Sequence, residues 1–595
     1  MKEAHSIPEM LRMRAERTPD TPAHYTVDPR TKNWMETMWK DYFESAAGIS
    51  TGLGKAGLKP GFNVAIMAST SQTWEFVQMG ILLSGGAVVG IDPNETVENI
   101  NHIVQKADLS GIVVSHPELM EKIDPMNLSG MDFRISMERG EVSWEGEDYI
   151  CLEDIKEPGM PLSVEVKADD PATIIFTSGT TGEPKGIMYR HGQVLAACRS
   201  ILDGFDEMDS SCNFPCWLPL SNLFQRMINL CAIDLGAATY FVEDPKEMVT
   251  LLPRINPHLF IGVPRVFEKI YEAIDAQIRE KPAWQRTLID LSIQAGDRYA
   301  ASVREGRTIS TLDKIRYTIA ERIVLKKIRS FLGSNMKYFI SGSAPMPKWL
   351  LERYHALGIL VLEAYGISEN IIPNAMNTPN AYRFGSVGRP RSENEIRILG
   401  DGELLVRGPG LFDGYYKSES TKDGFTSDGY FPTGDYVAVD RDGFLSVTGR
   451  KSEIFKTSTG RKIAPAGIEE RLRQATYVEH AVVFGARKKF IIALVTVSDT
   501  AALDDLGSLA KGLSKSLESL PGFMRPAGIL ATDYPFSVET KELTGNFKLK
   551  RKNIESRFKS RMDELYRHLE TGQETGRLPY IDQDNLLLYS LRNER

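Results

Sequence analysis

The sequence predicts an α/β fold in at least two structural units, on the strength of three features. Short apolar runs that read as buried strands alternate with runs of helical periodicity through the first 150 residues, which requires a largely parallel sheet with helices on its faces. At Thr173–Phe176 an apolar, β-rich run breaks into a loop of hydroxyls and glycines, a design for gripping phosphate. The chain has 595 residues, more than one core accommodates, and its composition turns charged and glycine-containing just after Arg450.

In order, Val64-Ala65-Ile66-Met67 is a short buried strand, and Trp74, Val77 and Ile81 then recur at helical spacing. Val88-Val89-Gly90-Ile91 is a second strand. Val97, Ile100, Ile103 and Val104 mark another helix, and Ile112-Val113-Val114 another strand. The strand Thr173-Ile174-Ile175-Phe176 leads into Thr177, Ser178, Gly179, Thr180, Thr181 and Gly182 and closes on Glu183-Pro184-Lys185-Gly186. Glycines let backbone N–H groups approach an anion, hydroxyls add donors and the lysine adds charge. The Walker spacing G-x-x-x-x-G-K-[ST] is absent.

Composition narrows the class. Apolar content of 42% and charged content of 25% are ordinary for a globular protein. A formal charge of −8 argues against a nucleic-acid partner, which calls for a basic excess. Cys151, Cys198, Cys212, Cys216 and Cys231 are too few and scattered for a disulfide framework; Cys212 and Cys216 lack the neighbours of a metal site and read as buried thiols. The N-terminus has no apolar core of a signal peptide, and the apolar runs near 79–93 and 227–242 fall short of a membrane span or are interrupted by Asp234. A cytoplasmic protein is expected, with peripheral membrane contact left open.

Further strings follow. Trp217-Leu218-Pro219-Leu220-Ser221-Asn222-Leu223-Phe224-Gln225-Arg226 precedes Val263-Pro264-Arg265-Val266-Phe267-Glu268-Lys269 and a helix-rich, charged stretch over 270–335. Ile340-Ser341-Gly342-Ser343-Ala344-Pro345 is a strand entering a turn of small residues, on which a flat ring can lie. Leu362-Glu363-Ala364-Tyr365-Gly366-Ile367-Ser368-Glu369, Thr433-Gly434-Asp435 and Gly443–Arg450 come next. In the C-terminal part, Leu503, Leu506, Leu509, Leu513, Leu517 and Leu520 keep a helical face. Leu543-Thr544-Gly545-Asn546-Phe547-Lys548-Leu549-Lys550-Arg551 is a basic run, after which Ile554, Phe558, Met562, Leu565 and Leu569 mark an amphipathic helix.

Together, and in this order, these strings resemble the adenylate-forming enzymes, the long-chain acyl-CoA synthetases above all. The resemblance implies a large N-terminal domain, 1–449, of parallel and mixed sheets flanked by helices plus a distorted β-barrel. It also implies a small mobile α+β C-terminal domain, 450–595, with its hinge at Ser452. It implies that Thr177, Ser178, Gly179, Thr180, Thr181, Gly182 and Lys185 hold the β- and γ-phosphates of ATP. Gly342, Ser343, Ala344 and Pro345 take the adenine with Tyr365 and Gly366, and Ser368 reaches the phosphate. Glu369 binds Mg²⁺, and Asp435 and Arg450 hold the ribose. Lys548 is the catalytic lysine. Asn222, Gly342 and Gly366 border the acyl pocket. Asn222 and Gln225 depart from the family's usual residues. Leu223 stands where amino-acid-activating relatives carry an aspartate, so an ammonium there would be unpaired.

The implied chemistry suits these residue types. A carboxylate attacking the α-phosphorus of ATP meets a like charge, and two unit charges at about 4 Å repel by roughly 4 kcal/mol at an effective dielectric near 20. Lys548 and Mg²⁺ offset that repulsion. The acyl-adenylate then passes to the thiol of CoA. Two alternatives stay open: an acyl-AMP ligase that loads an acyl carrier protein, and a catalytically weak relative that binds ATP or acyl-adenylate and regulates.

Overall fold

Asn63–Met67 is buried at every position, as its apolar run requires, and pairs in parallel with Ala87–Ile91 on one side and Leu109–Val114 on the other. The computed structural model describes residues 4–140, 149–157, 164–177, 183–418, 424–498, 503, 506–537, 540–543, 549–570, 576–577 and 587–590. Around Asn63–Met67 a seven-stranded sheet forms in the order Ile150–Cys151, Phe133–Ser136, Leu109–Val114, Asn63–Met67, Ala87–Ile91, Pro171–Thr177, Lys185–Arg190. All pairs are parallel except the last, an antiparallel hairpin. The crossover helices start where the sequence supplies caps. The Ser71 hydroxyl accepts from Trp74 N ahead of Gln72–Leu83, and the Thr96 hydroxyl accepts from Asn99 N ahead of Val97–Lys106.

Asn63–Met67 feeds the strand on one side, while its neighbour Leu109–Val114 feeds outward the other way. The C-terminal ends of these two strands are therefore a topological switch point. A crevice of about 600 Å³ opens there, lined by Ser69, Asn94, Ser115, His116 and Lys122 among others.

A second sheet runs Leu259–Gly262, Tyr338–Ser341 and Leu360–Ile367 in parallel, then Asn370–Met376 and Arg389–Pro390 antiparallel. Phe260, Phe267, Phe339 and Tyr354 fill its core with tilted and edge-on ring contacts. The stretch read as helix-rich is so: Pro264–Arg279, Ala283–Arg304, Thr311–Ala320, a π turn at Glu321–Leu325, and Lys326–Ser330. Gly296 permits close packing here, because a Cβ at that position would lie 2.1 Å from the carbonyl oxygen of Ala356 on the helix Lys348–Ala356.

By its contacts the chain divides into two units. The second comprises 398–405, 432–438 and 446–595, so it is discontinuous and takes in Asp435 along with Arg450. Its sheet orders Val478–Phe484, Ile492–Val497, Gly528–Thr532, Leu587–Ser590 and Gly576–Arg577. Leu503, Leu509, Leu513 and Leu517 of the leucine face are buried. So are Ile554, Phe558, Met562, Leu565 and Leu569 on the helix Arg551–Glu570. All five cysteines are free and buried.

Candidate active site

In the first unit a hairpin, a strand end and a loop meet. Thr177 and Lys185 face each other across the hairpin Pro171–Thr177/Lys185–Arg190. The loop residues Ser178, Gly179, Thr180, Thr181 and Gly182 lie outside the described residues. The Lys185 ammonium sits 4.6 Å from the centroid of the Tyr415 ring, a cation–π contact. The Tyr415 hydroxyl donates to Glu369 Oε1 at 2.7 Å, and the Tyr189 hydroxyl donates to the Ser368 carbonyl at 2.5 Å. Backbone bonds hold the three segments in place: Tyr416 N to Gly186 O at 2.7 Å, and Phe412 N to Glu369 O at 2.9 Å. Burial, and then the charge of Glu369, pushes both phenols up, so they remain protonated donors. His102 reaches the far end of the loop, with a ring nitrogen 2.9 Å from the Pro184 carbonyl oxygen. Sequence reasoning missed Tyr189, Tyr415 and His102. For Tyr415 the only signal was the aromatic pair in a glycine-rich region.

Glu369 fits a magnesium ligand: a partly buried carboxylate whose orientation Tyr415 fixes. Among the described residues no group of three His, Cys, Asp or Glu side chains could hold a metal.

The turn after Tyr338–Ser341 is held from two sides. Gly342 N donates to Gly262 O at 3.2 Å, and the buried Glu363 accepts from Met346 N at 2.9 Å through Oε1. Ser343 has φ of +72°, a left-handed conformation uncommon outside glycine. A Cβ on Gly342 would approach the Phe224 ring to 3.3 Å, whereas one on Gly366 would meet only Pro373 Cα, at 4.0 Å. Gly366 is exposed and Tyr365 is buried.

Asn222 is the N-cap residue of the helix Leu223–Leu235, and Leu223 packs against the first core. Gln225 is fully buried. Its carbonyl accepts from Trp217 N and Leu218 N, both at 3.3 Å. Its amide donates to Pro215 O at 3.3 Å and Asn229 Oδ1 at 3.0 Å. An ionised glutamate can only accept, so this environment selects the amide. Arg226 donates to Gln78 Oε1 at 2.7 Å and Thr173 Oγ1 at 2.9 Å, and burial lowers its guanidinium to about 10. Tyr42 and Asn229 donate to the two oxygens of the buried Glu75, whose carboxyl burial pushes up. The departure at Gln225 therefore belongs to a buried polar network that ties the helix to the strand Pro171–Thr177.

In the second unit Asp435 is 1% exposed, and Arg450 Nε lies 3.0 Å from its Oδ1. Thr433 Oγ1 accepts from Asp435 N at 3.1 Å and donates to Leu404 O at 2.9 Å. Gly434 between them has φ of +71°. Ser452 lies exposed in a turn where Glu453 N and Ile454 N donate to Arg450 O at 3.0 and 3.1 Å. Just before it, the Lys451 ammonium is 2.5 Å from Glu403 Oε2. Lys548 lies outside the described residues. Arg551 is engaged structurally, with Nη1 2.7 Å from Glu469 Oε1 and 2.9 Å from Val483 O.

A family model described as AMP-binding enzyme matches residues 11–416. The chain belongs to the AMP-binding enzyme family. A second model, AMP-binding enzyme C-terminal domain, matches residues 453–570. This AMP-binding enzyme is 30% identical over 569 residues to the long-chain-fatty-acid–CoA ligase FadD15 of Mycobacterium bovis, covering 90% of this chain and 92% of that one. It is 28% identical to fatty acyl-CoA synthetase B of Dictyostelium discoideum, covering 89% and 85%. Among solved structures, the A-PCP didomain of a carboxylic acid reductase from Segniliparus rugosus with AMP matches with TM-score 0.75 at 18% identity, covering 96% of this chain and 83% of that one. ATP-bound MatB from Rhodopseudomonas palustris matches with TM-score 0.71 at 20% identity, covering 93% and 99%. These structures establish the adenylate-forming fold. The chain is an adenylate-forming ligase resembling the long-chain acyl-CoA synthetases, and none of its described helices is long and apolar enough to cross a membrane.

Proposed function

We propose that this enzyme activates a medium- or long-chain fatty acid with ATP to an acyl-adenylate and transfers the acyl group to CoA, releasing AMP and pyrophosphate. The observation that carries the reading is the match to fatty-acid–CoA ligases along nine-tenths of the chain. The site supports it. Glu369, oriented by Tyr415, would hold Mg²⁺, which supplies charge neutralisation at the phosphates. Lys185 and Thr177, paired across the hairpin, offer a cation and a hydroxyl at one end of the sheet. Asp435, paired with Arg450, presents a carboxylate suited to neighbouring ribose hydroxyls. Leu223, packed on an apolar core, supports an aliphatic acid over an amino acid. Lys548 would stabilise the developing charge of the first half-reaction, with a domain boundary near 450–452. Five free thiols support a reducing compartment such as the cytoplasm.

The test is ATP–pyrophosphate exchange across a panel of carboxylic acids, with product analysis with and without CoA. Exchange driven by aliphatic acids and acyl-CoA formed on adding CoA are expected. Exchange driven by free amino acids, or adenylate that CoA leaves untouched and a carrier-protein thiol consumes, would replace the reading. Lys548→Ala should remove exchange and spare thioester formation from synthetic acyl-AMP.

A further inference from the structure

Nine of the twenty large apolar side chains that stand exposed among the described residues fall between Trp284 and Phe331, a helical stretch that holds none of the candidate site residues. Four of them, Leu312, Ile315, Ile319 and Ile323, are 46% to 55% exposed and recur at spacings of three and four. At about 100° per residue they share one face of Thr311–Ala320 and the π turn after it. The opposite face is already occupied: Tyr317 stacks on Tyr299 at 4.0 Å, and Ala320, Val324, Leu325 and Ile328 are buried in the second core. The segment is therefore apolar on two sides, and one side is uncovered. On the preceding helix Ala283–Arg304, Trp284, Leu288 and Leu291 form a second exposed stripe, while Ser292, Ala295, Gly296 and Ala300 are buried.

The charge along this segment is predominantly positive. Residues 311–331 carry six basic side chains against two acidic ones, a net of +4 in a chain whose total is −8. Lys314, Arg316, Arg322, Lys326 and Lys327 are exposed. We propose that the face of Leu312, Ile315, Ile319 and Ile323, rimmed by Arg322, Lys326 and Lys327, docks the protein on the surface of an anionic lipid bilayer. An amphipathic helix with a basic rim lies in the interface plane, its apolar stripe among the acyl chains and its cations at the headgroups. A second copy of the chain would set two positive faces against each other. An acidic peptide would leave the isoleucine stripe without a partner. The inference stands apart from the acyl-CoA reading, because partitioning to vesicles is measured without substrate.

The experiment is co-sedimentation of the full chain with vesicles of phosphatidylcholine alone and of phosphatidylcholine mixed with phosphatidylglycerol, at low and high salt. Partitioning should rise roughly tenfold or more with the anionic lipid at low salt and fall back at high salt. Ile315→Glu with Ile319→Glu should abolish it. Lys326→Glu with Lys327→Glu should lower binding to anionic vesicles by roughly tenfold or more and leave binding to neutral vesicles as it was. These side chains are exposed, so the thermal midpoint and the exchange activity on a water-soluble acid should be unchanged in every variant, which separates loss of docking from loss of fold. Absence of partitioning, equal partitioning to both vesicles, or indifference to both variants overturns the proposal. So does a dimer in light scattering that the isoleucine variants dissolve while no vesicle binding is seen.

Discussion

Glu369 and Gln225 show how one side chain's surroundings decide its task. Glu369 keeps a carboxylate turned by a single phenol in a partly exposed position, where Gln225 is enclosed and satisfies four backbone and side-chain groups. Glu369→Gln should raise the Mg²⁺ concentration for half-maximal pyrophosphate exchange by roughly tenfold or more, because the amide lacks the charge a hard cation prefers. An unchanged magnesium titration would remove Glu369 from the site. Gln225→Glu should leave the substrate profile alone and cost about 2–3 kcal/mol of stability, since the carboxylate cannot donate to Pro215 O and Asn229 Oδ1. A full thermal midpoint in that variant would count against the structural role. The strings around Glu369, Asp435 and Arg450 were legible because each is local in sequence. Tyr189 and Tyr415 were not, because they reach the site from 179 and 46 residues away.

The strands and helices of the first sheet were legible from periodicity alone: the runs at Val64, Val88 and Ile112 are the strands Asn63–Met67, Ala87–Ile91 and Leu109–Val114. Their order was not, since the crossing that sets Leu109–Val114 beside Asn63–Met67 is a matter of which neighbours pair, and alternation carries no such information. The same holds for the second unit, whose segments 398–405 and 432–438 precede the composition change at Arg450 and join the unit through the fold. The turn at Ser452 tests the proposed pivot. Its neighbours Glu453 and Ile454 bond back to Arg450, and Lys451 is tied to Glu403, so a change of φ and ψ has few residues in which to occur. Ser452→Pro fixes φ near −65° and should preserve one half-reaction while suppressing the other, assayed as pyrophosphate exchange and as thioester formation from acyl-AMP. Near wild-type rates in both assays would move the pivot elsewhere.

At the scale of the whole molecule, buried histidines set a limit on acid tolerance. Burial lowers His24 to about 3 and His191 to about 4, and Ile7 N donates to His191 Nδ1, which only the neutral ring accepts. Both folded values lie below the unfolded value near 6.5, so below that pH the unfolded chain binds protons that the folded chain refuses. Stability is complete above about pH 6.5 and falls as the pH drops toward 4, by up to about 1.4 kcal/mol per pH unit for each histidine. Glu75, whose carboxyl is pushed up, works in the opposite sense and reduces the slope. Calorimetry should find a midpoint that is flat above about pH 6.5 and declines by about pH 5; a flat profile across that interval would contradict the burial of these rings. The two-sided helix Thr311–Ala320 carries a different consequence, for the assembly of the chain. Before its inner face meets the core of Phe260, Phe339 and Tyr354, either apolar side offers a burial of similar kind. Turning the outer side inward would bring Arg322, Lys326 and Lys327 toward the core, and uncompensated charge there is costly. The cations therefore fix which way round the helix goes in, and replacing them by leucine should produce a fraction of chains trapped with the wrong side covered.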